Sequence, residues 1–389
     1  MRWLWILLLC APLCAAAQTY RGDLKDGKYH GQGRAEMPNG DLYEGEFREG
    51  EFTGSGTANL RDGTRYRGEF LNWKPHGKGR LVDPRGNIYE GEFREGLFDG
   101  EGTLRLKNGQ VRSGKWKQGR PDDSAERLAT MVEIETALYR QRPLLDEALR
   151  ALAPRHAGRI NLYLLAVAGD GSQEVFRREV EFVRRQFDSE FGTRGRSIAL
   201  VNSRSTTATA PMATLTSLRE ALAAIASKMD QEHDILFLFM TSHASKEHEF
   251  LLNHSHMPLR SLRPAELAAL LKESGIRWKA IVVSSCYSGG FIDALRDERT
   301  LVISASRHDR QSFGCADEND FTYFGRAFFK ESLTASTSFD EAFSRATELV
   351  GEWEKRDKRT GEEASLPQIH SPRPVAEHLR RWWNQPRRE

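Results

Sequence analysis

The chain has 389 residues, enough for two domains of ordinary size. Its 57 basic and 55 acidic residues leave a net charge of +2, with no strongly basic run, which argues against nucleic acid as a partner. Four cysteines are too few for an exported fold stapled by disulfides.

The first residues read as a processing signal. Met1-Arg2 is a positive start, Trp3 to Leu13 is apolar, and Ala15-Ala16-Ala17 supplies a small-x-small cleavage pattern. A signal peptide over 1–17 is expected. The apolar run is short of the roughly 20 residues that span a bilayer. Neither Cys10 nor Cys14 follows a small residue, which argues against a lipid anchor. The expected product is exported, periplasmic or secreted.

Residues 18–120 are repetitive. Tyr20-Arg21-Gly22, Tyr43-Glu44-Gly45, Tyr66-Arg67-Gly68 and Tyr89-Glu90-Gly91 start 23 residues apart, and a fifth unit begins at Arg112. Each of the four carries a later Gly-x-Gly, such as Gly77/Gly79, and a further glycine, such as Gly86. The pattern predicts one hairpin per unit, with glycines in the turns and Phe47, Phe70, Phe93 and Trp116 on one face. A lone hairpin cannot bury its face, so the units must stack into an elongated sheet. Tyr-x-Gly-x-Phe followed by Gly-x-Gly resembles the MORN repeat. The resemblance implies an all-β platform for a protein partner, membrane lipid headgroups or a second copy; a plain spacer is the alternative.

Residues 121–158 change to a helical connector. Leu128, Met131, Val132, Leu138, Leu145, Leu149 and Leu152 form its stripe, and an interruption is expected near Pro143. From 159 to 389, apolar runs alternate with amphipathic stretches. Strands are expected over 160–168, 197–201, 234–240, 280–284 and 301–305, with helices over 173–187, 214–229 and 266–273. Continuous apolar strands separated by helices predict an α/β domain whose mostly parallel sheet lies between helices. Its site should lie at the carboxyl ends of the strands.

Two strand ends carry chemistry. One runs into Thr241-Ser242-His243-Ala244, the other into Ser285-Cys286-Tyr287-Ser288-Gly289-Gly290. Neighbouring strands would deliver His243 and Cys286 to one edge. A thiol beside an imidazole is the requirement for nucleophilic attack with a general acid for the leaving amine. The backbone N–H groups of Ala244 and Cys286 are candidate oxyanion donors. A buried structural thiol, or a Cys286–Cys315 disulfide, is the plainer reading of the cysteines. His243, His248, His254 and His256 fit no standard zinc spacing, so no metal is expected.

An apolar strand ending in His and a small residue, then 43 residues later one ending in Ser-Cys-x-Ser-Gly, resembles the legumain family of cysteine peptidases, related in fold to caspases. Val167-Ala168-Gly169-Asp170-Gly171, the segment from Ile303 to Cys315, and Thr322-Tyr323-Phe324-Gly325 extend the likeness over about 159–345. It implies an exported cysteine endopeptidase without a cofactor, acting on protein or peptide substrate. By family position, Asp170, Arg177, Arg178, Ser284, Ser306, Ser312 and Arg326 become candidates for the specificity pocket or for positioning. Three positions depart from the pattern. Ala244 replaces a glycine, while Ser284 and Arg326 stand where plant and animal legumains carry acidic residues that help read asparagine. Asparagine specificity is therefore not carried over, and Arg177 or Arg178 with Arg326 would favour an acidic side chain, Asp, before the scissile bond. Two rivals remain: a non-catalytic scaffold, and a transpeptidase or ligase using the same thioester.

Overall fold

A computed structural model of the chain describes residues 18–254 and 257–385. The expected signal peptide and His256 lie outside them. The contacts divide the chain into two compact units, Met1–Ala129 and Thr130–Glu389.

The first unit is an antiparallel sheet of ten strands in sequence order, from Thr19–Lys25 to Arg120–Pro121. The fifth repeat supplies its last two strands, Val111–Lys117 and Arg120–Pro121. Phe47, Phe52, Tyr66, Phe70, Tyr89, Phe93 and Trp116 are buried on one face, many of them edge-to-face. The glycines divide in two. Those such as Gly63 and Gly86 sit in turns at φ of 92° and 88°, where a Cβ is strained. The others do not take turns, contrary to the sequence expectation. Gly45↔Gly56, Gly56↔Gly68, Gly68↔Gly79 and Gly79↔Gly91 form a row across the middle of the sheet. The reason is steric: a Cβ on Gly79 would lie 2.2 Å from the Tyr66 hydroxyl oxygen, so the tyrosine ring needs bare backbone beneath it.

Helix α1 (Ser124–Arg150) runs through Pro143 without the expected interruption. The carbonyl that loses its partner there belongs to Tyr139, whose residue is 78% exposed, so water can satisfy it. Only the later part of the expected stripe packs: Leu145 and Leu152 are buried in the core of the second unit with Leu149 against them, while Leu128, Met131, Val132 and Leu138 are exposed.

The second unit is a six-stranded sheet. Its strands are β1 (Leu162–Ala168), β2 (Ser197–Val201), β3 (Ile235–Thr241), β4 (Trp278–Ser284), β5 (Thr300–Ser304) and β6 (Gln368–His370). Their order is β2-β1-β3-β4-β5-β6, parallel except for β6. β1 and β3 are buried along their whole length, as central parallel strands require. The helices are α2 (Glu174–Glu190), α3 (Leu215–Lys228), α4 (Pro264–Ser274), α5 (Gly290–Leu295), α6 (Phe339–Arg356) and α7 (Arg373–Trp383). Two apolar clusters result. One face of the sheet packs with Phe176, Phe187, Phe329, Phe339 and Trp382, the other with Leu218, Leu222, Leu267 and Phe291. The strand and helix expectations hold to within about three residues; β6, α6, α7 and the helical segments Tyr323–Gly325 and Arg326–Ser332 are additional.

Candidate active site

β3 and β4 are adjacent and parallel, with Thr241 level with Ser284. The ladder continues one step, since Ser242 N–H donates to the Ser284 carbonyl over 3.2 Å. His243 and Cys286 each follow two residues after those paired strand ends. Both are half-buried. The register therefore brings the backbone positions of His243 and Cys286 to neighbouring points on the carboxyl edge of the sheet.

His243 is held from α2. Its Nε2 lies 3.1 Å from Oε1 of Gln173, at the N-cap position of α2, and its ring meets Phe176 edge-on at 5.1 Å. An amide oxygen only accepts, so Nε2 carries the proton and Nδ1 is left to exchange one. Gln173 was not singled out from sequence; its signal is its place just before a strongly amphipathic run. Asp170 takes another role. Its carboxylate accepts from Ser172 N–H at 2.9 Å and Asn253 Nδ2 at 3.2 Å, tying the loop after β1 to the short strand Asn253–His254.

Cys286 is a free thiol, with Sγ 3.5 Å from the Ser312 carbonyl and 4.0 Å from the Ser312 hydroxyl. Ser306 is fully buried and clasps the loop: its Oγ donates to the Ser285 carbonyl over 3.1 Å and lies 3.2 Å from both Ser288 N and Ser288 Oγ. Among the described residues, neither Ala244 N–H nor Cys286 N–H donates to a main-chain carbonyl.

Beneath the pair lies a buried polar line. Ser284 Oγ is 3.1 Å from Thr322 Oγ1, and Glu179 Oε1 accepts from Thr322 Oγ1 at 2.8 Å and Thr322 N–H at 3.1 Å. Gly325 makes room, because a Cβ there would clash with the Glu179 carboxyl. Glu179 Oε2 and the Thr241 hydroxyl that bears on it are buried without a well-formed hydrogen bond. Burial pushes the Glu179 carboxyl up to about 7, against the lowering effect of Thr241 and Thr322. Burial also pushes the nearby Cys315 thiol up to about 12, helped by Cys286 and Glu179. Glu179 was missed in the sequence, though a lone Glu among Val175, Phe176, Val180 and Val183 on the apolar face of α2 is a readable anomaly.

The arginines do not gather as expected. Arg177 pairs with Glu174 and Glu181, its neighbours one helical turn away on α2. Arg178 donates to the carbonyls of Asp317 and Asn319 and pairs with Asp320. Arg326 pairs with Glu331 over 3.0 Å and lies over the Trp353 ring. These local partners leave no shared pocket of free guanidinium groups. The three described histidines outside a zinc spacing also diverge: His243 meets Gln173, His248 the Tyr287 carbonyl, and His254 the Thr207 hydroxyl.

Comparison with known families meets this geometry. Residues 212–373 match the sequence model of the Peptidase C13 family, and 20–42, 43–65, 66–88 and 89–111 each match that of the MORN repeat. The chain carries a peptidase C13 domain after four MORN repeats. The C13, or legumain, family is one of cysteine peptidases, so protein is the class of substrate, and MORN repeats are modules of protein or membrane interaction. No curated protein matches the chain. The C13 match begins at Met212, yet the sheet that holds Cys286 includes β1 and β2 upstream, and α2 supplies Gln173 and Glu179.

Proposed function

We propose that the chain is an exported cysteine endopeptidase that hydrolyses peptide bonds through a Cys286 thioester. The observation that carries this is the register of β3 on β4, which sets His243 and Cys286 at paired strand ends within a C13 match. Cys286 Sγ attacks the scissile carbonyl as thiolate, with His243 holding the proton at Nδ1. The N–H groups of Ala244 and Cys286 stabilise the oxyanion. Collapse of that intermediate breaks the C–N bond as His243 gives its proton to the leaving amine. Water, deprotonated by the same imidazole, then releases the acid and restores the thiol. The segment 1–17 directs export, and the MORN array holds the peptidase against a protein or lipid surface. The test is digestion of an unfolded protein by the mature chain, with new termini read by mass spectrometry. Internal cuts lost in Cys286→Ala are expected; cuts only at chain ends, or unchanged cuts in the variant, contradict the reading.

A further inference from the structure

Beyond the dyad, the two loops that carry it meet through one residue the mechanism has not used. His248 lies five residues after His243, in the turn closed by Ser245 N–H donating to the Glu249 carbonyl over 3.1 Å. It adopts a left-handed backbone, φ 63°, uncommon for a side chain other than glycine. Its Nδ1 lies 2.9 Å from the carbonyl of Tyr287, the residue after the nucleophile, itself left-handed at φ 55°. A carbonyl only accepts, so His248 Nδ1 is the donor. The ring rests on Gly290, where a Cβ would come within 2.2 Å of its Cγ.

Besides Gly290 N–H donating to the Tyr287 carbonyl over 3.2 Å, the peptides around Cys286 have four anchors from other segments. Ser285 O is held by Ser306 Oγ, Ser288 N by the same hydroxyl, and Tyr287 N by the Arg310 carbonyl at 2.7 Å. Those three come from the segment after β5. The fourth, on Tyr287 O, comes from the loop of His243. Among the described residues it is the side-chain hydrogen bond that joins the two loops past the end of the β3–β4 ladder.

We propose that His248 is a positioning residue: it sets the nucleophile loop in register with His243, so that thiol and imidazole form their ion pair. The inference rests on the assignment of Cys286 and His243 above. Because Ser306 and Arg310 hold the nucleophile loop without it, loss of His248 disturbs the pairing rather than the loop's fold. A misplacement of about 1 Å lowers a rate about a hundredfold.

The test is the rate of Cys286 alkylation by iodoacetamide at neutral pH in the full chain, read by peptide mass, with thermal melting alongside. His248→Ala and His248→Gln should slow it by about tenfold or more. His248→Asn, whose amide nitrogen takes the place of Nδ1, should restore the rate. A wild-type rate in His248→Ala, or an Asn variant no better than Ala, overturns the role. A wild-type rate in His243→Ala overturns the dyad itself and is thereby told apart.

Discussion

A carboxyl enclosed by hydroxyls and apolar side chains keeps its proton to higher pH than one in water. Glu179 is such a group, raised from an ordinary 4.5 to about 7 chiefly by burial. The sign follows from linkage. The folded chain holds this proton after the unfolded chain has released it, so the stabilising contribution is complete below pH 4.5 and lost as pH climbs to about 7. At about 1.4 kcal/mol per pH unit the loss is about 3 kcal/mol. Glu179→Gln keeps the acceptor for Thr322 and removes the titration. Denaturant melts of the second unit should therefore show a stability fall between those pH values in the wild type and a flatter line in the variant; equal slopes would refute the buried acid. Gln173 belongs to the same scale. Gln173→Ala removes the acceptor from His243 Nε2, and labelling of Cys286 should slow about tenfold with little change in melting temperature, since the side chain is only half-buried. A wild-type labelling rate would mean that Phe176 alone orients the ring.

At the scale of elements, close approach decides what is tolerated. Gly79 has ordinary backbone angles, so its need is space for Tyr66 and not conformational freedom. Gly79→Ala should lower the stability of the first unit by about 2 kcal/mol or more, measured by thermal melting; an unchanged melt would show that the Tyr66 ring can move aside. The same distinction explains what could be read in advance. The 23-residue spacing announced the hairpins and the buried strands announced the parallel sheet, because both are patterns of local polarity. The glycine row could not be separated from turn glycines, because composition does not say what lies above a backbone. The shared edge on which Cys286 and His243 stand was legible because two paired strand ends lead to it. Gln173, Glu179 and His248 were not, because their partners are 70, 143 and 39 residues distant in sequence. The arginine pocket was misjudged for the converse reason: Glu174 and Glu181 lie one helical turn away and engage Arg177 first.

At the scale of the molecule, the contacts separate a repeat array from a peptidase domain. The first has one buried apolar cluster and the second two, one on each face of its sheet. Two unfolding transitions are expected, with Gly79→Ala moving one and Glu179→Gln the other; a single transition shifted by both variants would contradict the division. Chemistry in the second unit should not depend on the first, while location should. The central claim remains that Cys286 attacks and His243 serves it. It is tested most directly by labelling the mature protein with a thiol-directed peptide electrophile. Cys315, with its thiol held up at about 12, should stay unlabelled. The wild type should take one label at Cys286, Cys286→Ala none, and His243→Ala far less than the wild type. Equal labelling of the wild type and Cys286→Ala would contradict the assignment.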